Sequence, residues 1–278
     1  MIHSSEISVI EKEFALAKKR REGILITYIC AGYLNAEITM EILFAMQESG
    51  ANIIELGAPC QDPFADGPTL QKSHRIARMN GTKGIRDTLL IVKTARSKGL
   101  TVPIILMAYY SSIVEEYDDN IEYMCREIME SRINGILAIG ITEGDQELEL
   151  NKYANKYHLS TVHLVFPGST DERLDFVFRM KSSFVYVVSV KGKTGARNVL
   201  PDDLAENIAR IRSKTNLPLV VGFGISNSKM VHVISKISDG VVVGSFLTDC
   251  LNEEKEKLSC RDVIHKHVSI LRKGTKRL

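Results

Sequence analysis

The chain has 278 residues, 44% apolar and 25% charged, a balance that suits a globular protein with a large core and excludes a disordered chain. A formal net charge of +2, from 36 basic and 34 acidic side chains, excludes the charge bias of a nucleic-acid or membrane-surface protein. Five cysteines (Cys30, Cys60, Cys125, Cys250 and Cys260) are scattered without a C-x-x-C pair, which points away from a disulfide framework or a zinc site.

The first dozen residues are polar and acidic, unlike a signal peptide, and the longest apolar stretch, Ile24–Cys30, is too short to span a bilayer. A reduced, cytoplasmic protein is expected. The first predicted element is a helix over about Ser5 to Arg21, with Ile7, Ile10, Phe14 and Ala17 at helical spacing and Gly23 beyond its basic end. Residues 1–22 are expected to cap the bottom of the fold.

Ile24–Cys30 then opens a series of eight runs rich in Val and Ile. The others are Asn52–Leu56, Pro103–Ala108, Gly135–Ile139, Thr161–Phe166, Phe184–Ser189, Leu217–Gly222 and Gly240–Gly244. Being continuous rather than alternating, they fit strands covered on both faces, as in a parallel sheet. Helical patterns lie between them. Ala36–Ser49 places Ile38, Ile42, Leu43 and Met46 on one stripe before Gly50, and Pro201–Ser213 begins with proline and acids and ends with Arg and Lys. Eight strand–helix alternations predict an α/β fold, a single (β/α)8 TIM barrel over 1–278, a fold that typically takes about 250 residues. The tail 273–278 is expected to fray.

One strand breaks the apolar rule. Glu55 ends the run Asn52–Leu56 among residues that should be buried, where a carboxylate must be paired or protonated. A carboxyl group raised toward neutrality suits general acid/base chemistry. Asp66 follows eleven residues later, in a turn-rich loop at the C-terminal end of the barrel, where active sites of this fold gather. Gly195, Gly222, Gly224, Gly244 and Ser245 fall at late strand ends, the place of a phosphate cradle in such barrels. His265 and His267 are two apart on a helix and do not face one another, so no metal site is expected there.

The segment Glu55-Leu56-Gly57-x-Pro59-x-x-Asp62-Pro63-x-Ala65-Asp66-Gly67-Pro68-x-x-Gln71 strongly resembles the signature of the tryptophan synthase α subunit family. Similar matches are Ile26-Thr27-Tyr28-Ile29-x-Ala31-Gly32, Pro167-x-Ser169-Thr170-Asp171-Glu172-Arg173, Ser189-x-x-Gly192-x-Thr194-Gly195-Ala196-Arg197, Gly222-Phe223-Gly224-Ile225-Ser226 and Val243-Gly244-Ser245, in family order from about Ile7 to Leu251. The resemblance implies a lyase that cleaves indole-3-glycerol phosphate to indole and glyceraldehyde 3-phosphate without a cofactor of its own. It implies Glu55 as the acid/base and Asp66 as the carboxylate holding the indole N–H. Tyr186 would stand beside the reacting centre, with Thr194 as the lid residue. Gly195, Gly224, Gly244 and Ser245 would cradle the phosphate, and Tyr28 and Phe223 would be apolar walls. The implied partner is a pyridoxal-phosphate-carrying β subunit in an αββα assembly, met through Asp62 and the loops after the second and sixth strands.

The chain departs from the family pattern in the loops. Cys60-Gln61 stands for Phe-Ser, Ser111-Ser112 for Asn-Pro and Gly140-Ile141-Thr142 for Asp-Leu-Pro, while Lys191 and Lys193 replace a small hydroxyl residue and a valine. These changes bear on lid closure and partner coupling. They leave, beside the active lyase, the alternative of a weakened or inactive α subunit that serves mainly to activate its partner.

Overall fold

A computed structural model describes residues 7–141, 144–189, 200–222 and 224–277. Its strands are β1 (Ile24–Cys30), β2 (Ile53–Gly57), β3 (Ile104–Tyr109), β4 (Gly135–Ile139), β5 (Ser160–Val165), β6 (Ser182–Val188), β7 (Leu219–Gly222) and β8 (Gly240–Val243). Each runs parallel to the next, and β8 pairs back on β1 to close the ring. The predicted TIM barrel is therefore present, with all eight predicted runs as its staves.

The described helices are α1 (Val9–Lys19), α2 (Ala36–Glu48), α3 (Pro68–Met79), α4 (Ile85–Ser97), α5 (Tyr110–Tyr117), α6 (Ile121–Glu130), α7 (Asp145–Lys156), α8 (Asp171–Arg179), α9 (Leu204–Arg212), α10 (Ser228–Ile237), α11 (Ser245–Glu254) and α12 (Cys260–Gly274). No described helix is long and apolar enough to cross a membrane. The stop of α2 falls where its pattern places it, and its start is fixed by the Asn35 side chain, which accepts from the Ile38 N–H at 2.8 Å. The helix expected from Pro201 begins three residues later: Pro201 forms the preceding turn, its carbonyl accepting from the Leu204 N–H.

Alternation along each strand divides the apolar side chains into two layers. Ile24, Ile26, Ile53, Ile105, Leu137, Phe184 and Val220 point into the barrel. Leu25, Ile29, Ile54, Leu56, Leu106, Ile136 and Val221 point outward into the layer beneath the helices. The floor is plugged by α1, whose capping box on Ser8 and Glu11 fixes its start and whose Phe14 ring lies 5.5 Å from Phe184.

The C-terminal tail does not fray. The Gly23 N–H donates to the Thr275 carbonyl at 2.8 Å, the Arg277 N–H to the Arg21 carbonyl at 2.9 Å, and Glu22 and Lys276 form an antiparallel bridge. Arg272 adds an ion pair with Glu22. The tail looks expendable by composition, yet its backbone supplies the hydrogen bonds that the chain entering β1 needs. Leu278 lies outside the described residues.

Candidate active site

Glu55 shares the parity of Ile53 on β2, so it faces the barrel interior, beside Tyr28 of β1 in the ladder. It is 6% exposed. Burial, and secondarily the charge of Asp66, push its carboxyl up to about 8. At neutral pH it is predominantly a protonated acid, able to give a proton.

After Gly57 the chain loops over the mouth and returns at Asp66. The Pro63 carbonyl accepts from the Asp66 N–H at 3.0 Å, and the Gln71 side chain donates to the Asp66 carbonyl at 2.9 Å. Gly67 and Pro68 then start α3, with proline in the first turn where no N–H is needed. The Asp66 carboxylate is buried and accepts from the Tyr109 hydroxyl at 2.8 Å, and the His74 Nε2 lies 3.4 Å from it. The Asp66 carboxyl group is thus anchored over the barrel mouth.

Glu55 and Asp66 border one cavity of about 520 Å³. Met107, Leu137, Ile139, Val162 and Leu164 give it apolar walls, Phe64 and Leu70 form part of its roof, and Gly224, Gly244 and Ser245 stand on the far side. Apolar walls with a few polar groups at the rim are the usual lining of a small-molecule site. Gly244 caps α11, so the positive end of that helix faces the cavity rim. Tyr28 and Tyr186 also line it, their hydroxyls held well above the ordinary tyrosine range mainly by burial and further by nearby acids.

Close packing accounts for glycine at several strand ends. A Cβ on Gly222 would fall on the Tyr186 hydroxyl, one on Gly57 on the Tyr28 hydroxyl, and one on Gly244 would sit 3.0 Å from the Tyr28 ring. Glycine at these strand ends makes room for two tyrosine rings inside the barrel.

Compared with known families, residues 14–274 match Tryptophan synthase alpha chain. The chain belongs to that family. The alpha chain of Geotalea uraniireducens is 36% identical over 270 residues, 97% of this chain and 98% of that one. The tryptophan synthase of Saccharomyces cerevisiae is 39% identical over 248 residues, 89% of this chain but only 34% of the yeast protein, so this chain spans about a third of that relative. The solved tryptophan synthase subunit alpha of Legionella pneumophila superposes with a TM-score of 0.88 at 25% identity, covering 98% of this chain and 99% of that one. The protein is thus a lyase of the tryptophan synthase alpha chain family, and membership implies a beta-chain partner.

Of the alpha-chain residues expected from sequence, Glu55, Asp66, Tyr28, Tyr186, Gly224, Gly244 and Ser245 meet at this cavity. Thr194, Gly195 and Phe223, together with Lys191 and Lys193, lie outside the described residues. Asp62 is exposed on the loop between the two carboxylates, beside buried Cys60 and exposed Gln61. Gly140 adopts a φ of +76°, and a Cβ there would come within 2.9 Å of the Phe64 ring, which explains a glycine at that strand end.

Sequence reasoning passed over several neighbours. Tyr109 and His74 hold Asp66 but sit in segments that read as an ordinary strand end and helix. Glu147 of α7, His163 of β5 and Arg173 of α8 form a buried network at the cavity edge. Arg173 binds Glu147 through two hydrogen bonds of 2.7 and 2.9 Å, and His163 Nδ1 meets Glu147 at 3.0 Å. Burial alone would raise the Glu147 carboxyl, but the bonds from His163 and Arg173 bring it down to about 2. The signal available was His163 itself, a titratable residue inside the run Thr161–Phe166 that should be covered on both faces. On the outer wall His267 faces Glu254 of α11 rather than His265, and with Cys250 their ligand atoms lie within 4.8 Å. Lys266 already binds that carboxylate at 2.7 Å.

Proposed function

We propose that this alpha chain cleaves indole-3-glycerol phosphate by acid/base retro-aldol chemistry, with Glu55 and Asp66 as the catalytic pair. The observation that carries the reading is a single cavity bordered by a carboxyl raised to about 8 and by a second, anchored carboxylate. Protonated Glu55 gives its proton to C3 of the indole, turning the ring into an electron sink. Asp66 binds the ring N–H and stabilises the positive charge that forms there. As the glyceryl hydroxyl loses its proton, with Glu55 as the acceptor, the carbon–carbon bond breaks. Its electron pair returns to the ring, and the hydroxyl carbon becomes the aldehyde of glyceraldehyde 3-phosphate. A positioned acid/base typically contributes about 10²–10⁴ in rate.

Gly224, Gly244, Ser245 and the N-terminus of α11 are suited to the phosphate; Gly195, assigned to the same cradle by the family resemblance, lies outside the described residues. Tyr186 and Tyr28 line the same cavity and would flank the substrate; the family resemblance assigns Phe223 to the ring wall and Thr194 to the lid, both outside the described residues. The chain needs no cofactor for these steps. Its cytoplasmic partner would be a pyridoxal-phosphate-dependent β subunit in an αββα assembly, docked over the loop that exposes Asp62. The test is release of indole from indole-3-glycerol phosphate, alone and with a β subunit, by wild type and Glu55→Gln. Turnover by the wild type that Glu55→Gln leaves intact would overturn the assignment of Glu55, and solution mass with the β subunit tests the assembly.

A further inference from the structure

His74 is fully buried on α3 and reaches both ends of the loop that carries Asp66. The Cys60 backbone N–H donates to its Nδ1 at 3.1 Å. A backbone amide nitrogen only donates, so Nδ1 must be the bare acceptor, and the proton of the neutral ring then sits on Nε2. Nε2 lies 3.4 Å from Asp66 Oδ2 and 3.5 Å from the Tyr28 hydroxyl. The Cys60 thiol, 3.7 Å from Nδ1, and the edge-on Tyr109 ring, 6.1 Å between centroids, complete its polar surroundings.

We propose that His74 is a positioning residue for the lyase reaction: Cys60 selects its Nε2–H tautomer, and that N–H orients the Asp66 carboxylate toward the substrate nitrogen. The proposal rests on the role of Asp66 given above. The separation of 3.4 Å is long for an N–H···O bond, and it shortens when the loop settles on substrate, as catalytic hydrogen bonds commonly tighten on binding. Two donors from different elements, Tyr109 of β3 and His74 of α3, then fix the rotation of one carboxylate. The neutral tautomer matters as much as the contact. A cationic ring at this distance would offset the negative charge that must face the developing indolenine cation, whereas a neutral N–H orients the carboxylate and leaves its charge intact.

The two nitrogens are separable by substitution. His74→Asn keeps an acceptor near the Nδ1 position for Cys60 but has nothing at Nε2, while His74→Gln reaches the Nε2 position with an amide donor. For indole release from indole-3-glycerol phosphate, His74→Asn is expected to lower kcat about 10–100-fold, the range typical when a group that orients a reacting ligand is lost. KM should stay within about threefold, and His74→Gln should recover much of the loss. Nitrogen NMR of the ring-labelled wild-type protein should show a bare Nδ1 and a protonated Nε2. A proton on Nδ1 would overturn the proposal irrespective of how any variant folds. So would a His74→Asn enzyme with wild-type kcat. Asp66→Asn serves as the control: if it leaves turnover unchanged, the role of Asp66 itself is wrong, a failure that the NMR result does not share.

Discussion

The Tyr109 hydroxyl donates to Asp66 Oδ2 at 2.8 Å and so ties the end of β3 to the loop that follows β2. Burial and the facing carboxylate hold that hydroxyl well above the ordinary tyrosine range, so it stays a donor throughout the pH range in which the protein works. A hydrogen bond to a charged group contributes about 1.5–3 kcal/mol. Tyr109→Phe should therefore lower kcat for indole release about tenfold or more, with the circular-dichroism spectrum of the fold retained. An unchanged kcat would detach Tyr109 from the site.

Glu55 makes the pH dependence specific. Its carboxyl rises from 4.5 to about 8 on folding, so between those values the native state holds a proton that the unfolded chain releases. This contribution to stability is fully present below the unfolded value and is lost as pH rises through about 8. Relative to Glu55→Gln, wild type should lose up to about 4 kcal/mol of stability between pH 5 and pH 9, measured by urea unfolding at both. Indole release should decline over the same upper limb, because the proton donor is then ionised.

Gly222 offers a packing test. Adding a methyl group places a Cβ on the Tyr186 hydroxyl, and such overpacking typically costs about 1–3 kcal/mol. Gly222→Ala should lower the melting temperature and displace the ring from the cavity. Combining it with Tyr186→Phe should recover part of the lost stability, since the nearest clashing atom is then gone. Additive losses in the double variant would count against the clash.

The Glu147 network carries stability of opposite sign. With its carboxyl lowered to about 2, its contribution is present above the unfolded value of 4.5 and is lost as pH falls through about 2. Glu147→Ala leaves His163 and Arg173 without their buried carboxylate and should cost about 3–5 kcal/mol near neutral pH. The gap to wild type should narrow on acidification, which urea unfolding at pH 7 and pH 3 would show.

The fold was legible because each stave announces itself as a continuous apolar run, and Glu55 was legible because it interrupts one. The partners of Asp66 were not. Tyr109 lies 43 positions from Asp66 and ends an unremarkable strand, and His74 looks like one more residue on an amphipathic helix. Tyr109 meets the carboxylate because β3 pairs with β2, and His74 because the loop folds back over the first turns of α3. The glycines gave a partial signal: their number at late strand ends suggested an anion cradle, whereas the crowding of Tyr28 and Tyr186 against Gly57, Gly222 and Gly244 emerges only from three-dimensional packing. The tail misled because charge and composition say nothing of which backbone amides a distant strand still needs.

That tail has a consequence for how the molecule is assembled. β1 and β8 meet along the seam that joins the most distant strands in the chain, and contacts of such long sequence separation are slow to form. Residues 275–277 are stitched beneath this seam, to Gly23 and Arg21 ahead of β1 and, through the Arg277 guanidinium, to Ser238 ahead of β8. They are synthesised after all eight staves. The hydrogen bonds beneath the seam can therefore form only after every stave has been made.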